Sequence, residues 1–305
     1  MTRTASPPPL PYATPNLQGT SGMRLQANRW WAMLALVLLA VGFLLPFLFT
    51  LSTSLKPATE IEHPTLLPNS FEYQNYDHVL KNQDHKFDVA LLTRNTLVIA
   101  ALTVVGTTLS SALAAYGFAK IKFKGRGPLF GVMLATMMIP FPVLMVSMFS
   151  IWRWFGDHTG MPFLGTYRPL WIPAWFGSAF NVFLLRQFFI TIPDELSEAA
   201  RIDGCSEFAI FYRIVLPLAR PALAVVALFA FMGVWNDYLG PLIYIQDPQN
   251  YTLALGIGSY QSQQGGTPWN LVMAASTLII APIIILFFLV QKTFIQGIAT
   301  TGIKG

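Results

Sequence analysis

The sequence is poor in charged residues. They make up 11% of its 305 residues, whereas hydrophobic residues make up 54%. Soluble domains carry roughly 25% charged residues. The composition therefore excludes an ordinary water-soluble domain and predicts a protein whose surface faces lipid. The net charge of +5 is not gathered on one polar face, so we expect no nucleic-acid partner.

Cysteine is also nearly absent. Cys205 stands alone, which excludes an intramolecular disulfide and a metal site built from cysteines. The four histidines do not have metal-ligand spacing, and the sequence contains no G-x-x-x-x-G-K-[ST] motif. We therefore expect no metal, no cofactor and no catalytic residue, and the protein is predicted not to be an enzyme.

Long apolar runs, in contrast, are abundant. A helix that crosses a bilayer needs about 20 mostly apolar residues. Six stretches meet this criterion, at 30–51, 96–119, 128–151, 169–190, 221–245 and 268–292. Pro140 and Pro142 are expected to bend the third stretch. The fold is thus predicted to be all-α and integral to the membrane, with six transmembrane helices.

The basic residues predict the orientation. The loop at 120–127 holds four of them and no acid, whereas the loop at 246–267 holds none. Basic loops stay in the cytoplasm, so we predict a multi-pass protein of the cell membrane with both termini and the 191–220 loop in the cytoplasm.

The same patterns divide the chain into segments. Residues 1–29 are rich in Pro, Thr and Ser and are predicted to be a disordered cytoplasmic tail. Residues 30–55 are assigned to the first transmembrane helix, and residues 293–305 to a cytoplasmic C-terminal tail.

The 191–220 loop is predicted to form two short helices at a sharp bend. Pro193 suits the first turn of a helix, and Gly204 is a natural stop. Ser206 can cap the second helix, which Pro217 is expected to end. An apolar stripe at helical spacing is expected on that second helix, at residues 208, 211, 212 and 215.

The first of these helices is expected to dock on another protein. Leu196, Ala199 and Ala200 have the spacing of one helical face, and small residues on that face allow a partner to approach closely. Glu198 and Asp203 can attract cations of that partner. The alternative is a helix lying on lipid headgroups, which is disfavoured because such helices are usually basic.

The loop resembles the EAA loop of ABC-importer permeases. The matching residues are Glu198, Ala199, Ala200, Asp203, Gly204, Ile214, Leu216 and Pro217. The resemblance implies a type I ABC importer transmembrane fold, with a core at 91–292 and a cytoplasmic coupling helix that seats on a separate ATPase subunit. It further implies that Glu198 pairs with a basic residue of that subunit and that Gly204 allows the bend.

Further segments resemble the carbohydrate branch of these permeases, and specifically the second permease of a maltose-type pair. They are Trp235-Asn236-Asp237, residues 252–256 and the C-terminal residues 302–305. The resemblance implies a sugar substrate, a second permease subunit, two ATP-binding subunits and an extracytoplasmic solute-binding protein. It also implies that Gly302, Ile303 and Lys304 dock between the ATPase subunits; the alternative is a frayed terminus.

The transport pathway and the solute each allow more than one interpretation. Trp235, Asn236 and Asp237 are interpreted as part of the pathway or its gate, unless the fifth span ends at about residue 234, which would leave the two polar residues among headgroups. The small polar stripe of the second span, at residues 103, 107 and 111, is expected to pack helices rather than line a solute path. The solute could instead be a polyamine or a peptide. An ion-driven secondary transporter is a rival class, although midplane carboxylates and inverted repeats would then be expected.

Overall fold

The computed structural model describes residues 21–61, 65–81, 88–260 and 266–301, and within these ranges its regular structure is entirely helical. The α-helices are α1 (Ser21–Ser54), α2 (Gln74–Leu80), α3 (Val89–Lys120), α4 (Arg126–Ala135), α5 (Phe141–Thr159), α6 (Arg168–Trp171), α7 (Ala179–Thr191), α8 (Asp194–Ile202), α9 (Glu207–Ile210), α10 (Leu216–Leu218), α11 (Arg220–Trp235), α12 (Leu239–Tyr244), α13 (Leu253–Ile257) and α14 (Trp269–Thr301). Short 3-10 helices follow α4 and α6, and a π-helix at Phe211–Val215 joins α9 to α10.

The chain divides into two compact units, residues 1–50 and 51–305. In the first unit, α1 begins at Ser21, nine residues before the predicted start of the first span. Its side chains at 29–49 are all exposed, although almost all of them are apolar. A helix that is apolar all round and exposed suits lipid rather than water.

Three helices of the structure are long and apolar enough to cross a membrane, Arg29–Ser54, Val89–Lys120 and Trp269–Gln291. Three further candidates are pairs of helices bent at a short break, and counting each pair as one span gives six within the described ranges. The all-α architecture is therefore confirmed, with up to six candidate spans in the part of the chain that the structure describes, the number predicted.

The third predicted span is broken rather than gently bent. Arg126–Met138 and Phe141–Thr159 meet at 99°. Ile139 is extended, with φ −87° and ψ 111°, because a following proline disfavours the helical region. The prolines thus act as predicted, but they turn residues 126–159 into two helices, and the second extends eight residues beyond the predicted end at residue 151.

In the second unit, α3 packs against α11 and α7. Its small polar stripe is buried, and beside it the Ser110 hydroxyl lies 2.6 Å from the carbonyl of Gly106 in α3 and 3.1 Å from that of Ala174, so that its one proton is shared between them. The space between α3 and the 3-10 helix that follows α6 is tight, because a Cβ on Gly106 would lie 2.5 Å from the Trp175 ring. The stripe therefore packs helices, which agrees with the interpretation favoured from sequence.

The N-terminal end of α3 holds the chain that follows α12. Asn95 Nδ2 donates to the carbonyls of Gln249 and Tyr251, at 2.8 and 3.0 Å. Thr96 Oγ1 accepts the N–H of Leu253 at 2.9 Å. Since Asn95 and Thr96 are both buried, these bonds fix residues 249–253 on α3 at the end opposite to Lys120.

Candidate functional site

The candidate site is the segment 194–218, which begins with α8. Pro193 is extended and α8 starts directly after it, at Asp194. The helix ends at Ile202, and Gly204 takes the left-handed conformation with φ +80°. The N–H groups of Gly204 and Cys205 then donate back to the carbonyls of Arg201 and Ala200, at 3.1 and 2.9 Å. This is the hydrogen-bonded glycine ending that helices commonly use, and it makes the predicted bend.

The second helical stretch differs from its prediction at the end. Ser206 Oγ accepts the N–H of Ala209 at 3.3 Å, so the predicted cap is present. The helix does not end at Pro217, however, because helical backbone runs through α10 to Leu218. The preceding π-turn at Phe211–Val215 changes the hydrogen-bond pattern just before the proline, which has no N–H to donate. The direction then changes by 81° into α11.

The faces of α8 also differ from the prediction. Leu196, Ala199 and Ala200 do not share one environment, because Ala200 is 7% exposed and packs in the core, whereas Leu196 and Ala199 are exposed. The residue that shares the buried side with Ala200 is Ser197, three positions earlier. Ala200 is therefore occupied within the chain, and Ala199 alone of the two alanines is open to a partner.

The exposed side of the segment is both acidic and apolar. Glu198, Asp203 and Gly204 are exposed. Ile202 is 87% exposed and Phe208 is 70% exposed, so both present most of their apolar surface to the outside of the chain. The predicted stripe of the second helix is divided in the same way: Phe211 and Val215 are buried, whereas Phe208 and Tyr212 are not. Exposed apolar groups rimmed by charge are typical of a protein interaction surface.

A first polar joint connects α3 to the start of α8. It consists of Lys120, the carbonyl of Ile192 and the carboxylate of Asp194. Lys120 Nζ donates to these two oxygens at 2.5 and 2.6 Å. The hydrogen bond from Lys120 holds the pKa of the Asp194 carboxyl below its ordinary value.

A second polar joint connects α3 to both helices of the segment. It consists of Tyr116, Arg201 and Glu207. The Tyr116 hydroxyl donates to Glu207 Oε2 at 2.7 Å, and Arg201 Nε donates to Glu207 Oε1 at 2.5 Å. The hydrogen bond from Arg201, together with that from Tyr116, lowers the pKa of Glu207, which therefore stays ionised at neutral pH.

Of the residues predicted from the EAA resemblance, Glu198, Ala199, Asp203 and Gly204 lie on the exposed side, and Ile214, Leu216 and Pro217 lie in the second helical stretch. Sequence reasoning missed Tyr116 and Glu207 as members of the site, and it used Lys120 only for orientation. Tyr116 and Glu207 are 91 positions apart, and no local pattern connects them. The predicted tail residues Gly302, Ile303 and Lys304 lie outside the described residues.

The residues predicted for the pathway lie at the end of α11. Trp235 is its last residue and is 2% exposed, and its Nε1 donates to the carbonyl of Ile279 at 3.1 Å. Asn236 and Asp237 follow the helix, as expected if the fifth span ends at about residue 234. Asp237 Oδ1 accepts the N–H of Gly240 at 3.0 Å. Trp235 and Asp237 thus form hydrogen bonds within the chain. The place of all three residues in a pathway stays a prediction.

Comparison with known proteins identifies the family. Residues 106–300 match the family described as binding-protein-dependent transport system inner membrane component. The chain belongs to this family. The match includes the whole of segment 194–218 and about half of α3. The protein is thus a multi-pass membrane permease of an ABC transport system, as the EAA resemblance implied.

Permeases of several transport systems are similar to this chain over most of their length. The arabinooligosaccharides transport system permease protein AraQ of Bacillus subtilis is 32% identical over 273 residues, which is 88% of this chain and 93% of that protein. The trehalose/maltose transport system permease protein MalG of Thermococcus litoralis is 32% identical, over 88% of this chain and 94% of that protein. The sn-glycerol-3-phosphate transport system permease protein UgpE of Yersinia pestis is 34% identical, over 86% and 94%.

A solved structure confirms the fold. A chain of a bacterial ABC transporter involved in the import of the acidic polysaccharide alginate superposes with a TM-score of 0.74, over 87% of this chain and 97% of that chain, at 24% identity. The type I importer arrangement predicted from sequence is therefore the fold of this protein.

Proposed function

We propose that this chain is one of two permease subunits of an ATP-driven, binding-protein-dependent sugar importer. The observation that carries the proposal is the exposed acidic and apolar side of segment 194–218, held on α3 by two polar joints. It offers a separate ATPase subunit a rigid surface on which closure of that subunit can act. Family membership supports the remaining partners, a second permease and an extracytoplasmic binding protein.

The sugar class rests on the relatives. AraQ and MalG are named for arabinooligosaccharides and for trehalose and maltose, whereas UgpE is named for sn-glycerol-3-phosphate. We therefore propose a sugar or sugar-like polyol substrate ahead of a polyamine or peptide. Uptake of radiolabelled oligosaccharides into proteoliposomes that hold the complete importer tests this, and uptake of a peptide or polyamine alone would contradict it.

The docking role is tested by charge and by volume. Glu198→Lys reverses one exposed charge and should weaken copurification of the ATPase subunit, whereas Glu198→Gln should weaken it less. Ala199→Trp adds bulk to the exposed side without changing charge and should also release the subunit. Full copurification and transport by both Glu198→Lys and Ala199→Trp would refute the proposal.

We also propose that both termini and segment 194–218 face the cytoplasm, that the chain itself hydrolyses no ATP, and that residues 302–304 contact the ATPase subunits. The basic loop at 120–127 supports the orientation. Two cysteine variants in a Cys205→Ser background test this with a membrane-impermeant maleimide. Lys124→Cys should react only in inverted vesicles, whereas Asp157→Cys should react only in right-side-out vesicles. The reverse pattern would overturn the orientation.

A further inference from the structure

We propose that α3 carries α8 through the two polar joints, so that Tyr116 and Glu207 are positioning residues for the coupling of ATP hydrolysis to transport. The inference rests on the proposed function and deepens it. It identifies α3 as the membrane helix to which movement of segment 194–218 is transmitted, and it names the side chains that transmit this movement.

Packing alone holds α8 weakly. Of its nine residues, Ser197 and Ala200 are the buried ones. Both are small, so each removes little apolar surface from water. The Ser197 hydroxyl is buried without a hydrogen-bond partner, which further reduces what its burial contributes. The position of α8 therefore depends on contacts outside its own buried side.

The two joints supply those contacts from one face of α3. Tyr116 and Lys120 are four residues apart, and therefore lie one above the other on that helix. Lys120 reaches the start of α8 at Asp194, and Tyr116 reaches Glu207, which is held by Arg201 from the last turn of α8. Since both ends of α8 are connected to one helix, α8 can neither tilt nor slide without breaking a joint or moving α3.

In each joint the member that comes from α3 is buried, although its partners on segment 194–218 are exposed. The Lys120 side chain is 3% exposed, whereas its partner Asp194 is 72% exposed. A buried ammonium group that loses its acceptors keeps its desolvation penalty without compensation. Tyr116 is 6% exposed, so its hydroxyl would likewise be left in the interior.

Glu207 is the member that links three elements. Its two carboxylate oxygens accept from Tyr116 on α3 and from Arg201 on α8, while its own backbone begins α9. Hydrogen bonds to an ionised acceptor are stronger than neutral ones. Replacing this carboxylate therefore removes the link from Tyr116 on α3 to Arg201 on α8.

The test measures solute transported per ATP hydrolysed by the complete importer in proteoliposomes. Tyr116→Phe and Glu207→Gln are expected to lower this ratio about fivefold, because hydrogen bonds to a charged group are lost, while the ATPase subunit still copurifies. Tyr76→Phe is the matched control. Tyr76 lies in α2, and its hydroxyl is hydrogen-bonded to Ser54 at 2.7 Å. Removing this hydroxyl should leave the ratio unchanged.

A conservative exchange at Arg201 separates positioning from folding. Arg201→Lys keeps a cation beside the Glu207 carboxylate and should retain more of the ratio than Arg201→Gln, while both variants leave the Tyr116–Glu207 hydrogen bond in place. An unchanged ratio in Tyr116→Phe and Glu207→Gln overturns the inference, and so does a loss of assembled complex with a normal ratio in the remainder. The proposed function fails by a different result, namely Glu198→Lys that keeps its ATPase subunit and transports normally.

Discussion

The contact between Asn95 and residues 249–251 allows a quantitative prediction for the loop that follows α12. One amide group donates to two backbone carbonyls, at 2.8 and 3.0 Å. Each such bond contributes about 1 kcal/mol net, and a carbonyl left without a partner costs up to about 1–3 kcal/mol more. We expect Asn95→Ala to reduce the free energy of unfolding by about 2–4 kcal/mol.

Asn95→Asp provides a sharper version of the experiment. It keeps the shape of the side chain and replaces the donor by an oxygen that faces two carbonyl oxygens. Because Asn95 is 6% exposed, the new carboxylate would also be desolvated, and Asn95→Asp should destabilise the protein more than Asn95→Ala does.

Thermal unfolding in detergent, followed by circular dichroism, measures these changes. A loss of about 2–4 kcal/mol corresponds to a fall in Tm of roughly 3–6 °C for a chain of this size. Hydrogen exchange should quicken at the Leu253 amide as well, since the loop is released from Thr96. An Asn95→Asp protein as stable as the wild type, with unchanged exchange at residues 249–253, would refute this account of the loop.

Three further predictions concern other positions. Gly106→Val should destabilise the protein by about 1–3 kcal/mol through overpacking, because even a Cβ would lie 2.5 Å from Trp175. The change is measured as a Tm shift. Gly117→Val is the control, since nothing lies within 4 Å of a Cβ at that position. Gly204→Ala should cost about 1–2 kcal/mol, since its φ is +80° and no neighbour is within 4 Å; an unchanged Tm would show that the bend relaxes. The ion pair of Glu207 should stabilise the wild type over Glu207→Gln fully above the ordinary glutamate pKa of about 4.3. That advantage should disappear as pH falls through the lowered pKa of Glu207, and a Tm difference that is constant with pH would contradict it.

The sequence predicts the parts of this structure that depend on local chemistry. The start of α8 after Pro193, its end before Gly204 and the cap at Ser206 all follow from preferences of single residues for particular backbone conformations. Six apolar stretches follow from the thickness of the bilayer. These features required no knowledge of tertiary contacts.

The errors arose where tertiary contacts decide. Helical spacing placed Leu196, Ala199 and Ala200 on one face, but it could not show that the core takes Ser197 and Ala200 instead. The break at Pro140 is a different case, because a bend there was predicted from the prolines, whereas the angle of 99° between the two helices was not.

The polar joints could not be predicted from sequence at all. The sequence presents Lys120 as one residue of a basic loop that indicates orientation, whereas its ion pair with the exposed Asp194 joins residues 74 positions apart.

The position of Cys205 offers an experimental advantage. The only cysteine of the chain directly follows the left-handed glycine, is half-buried, and its backbone N–H is bonded to Ala200. A spin label or fluorophore attached to Cys205 would report on the bend between the two short helices without any engineered thiol. The native thiol would thus allow movement of segment 194–218 to be followed spectroscopically during turnover.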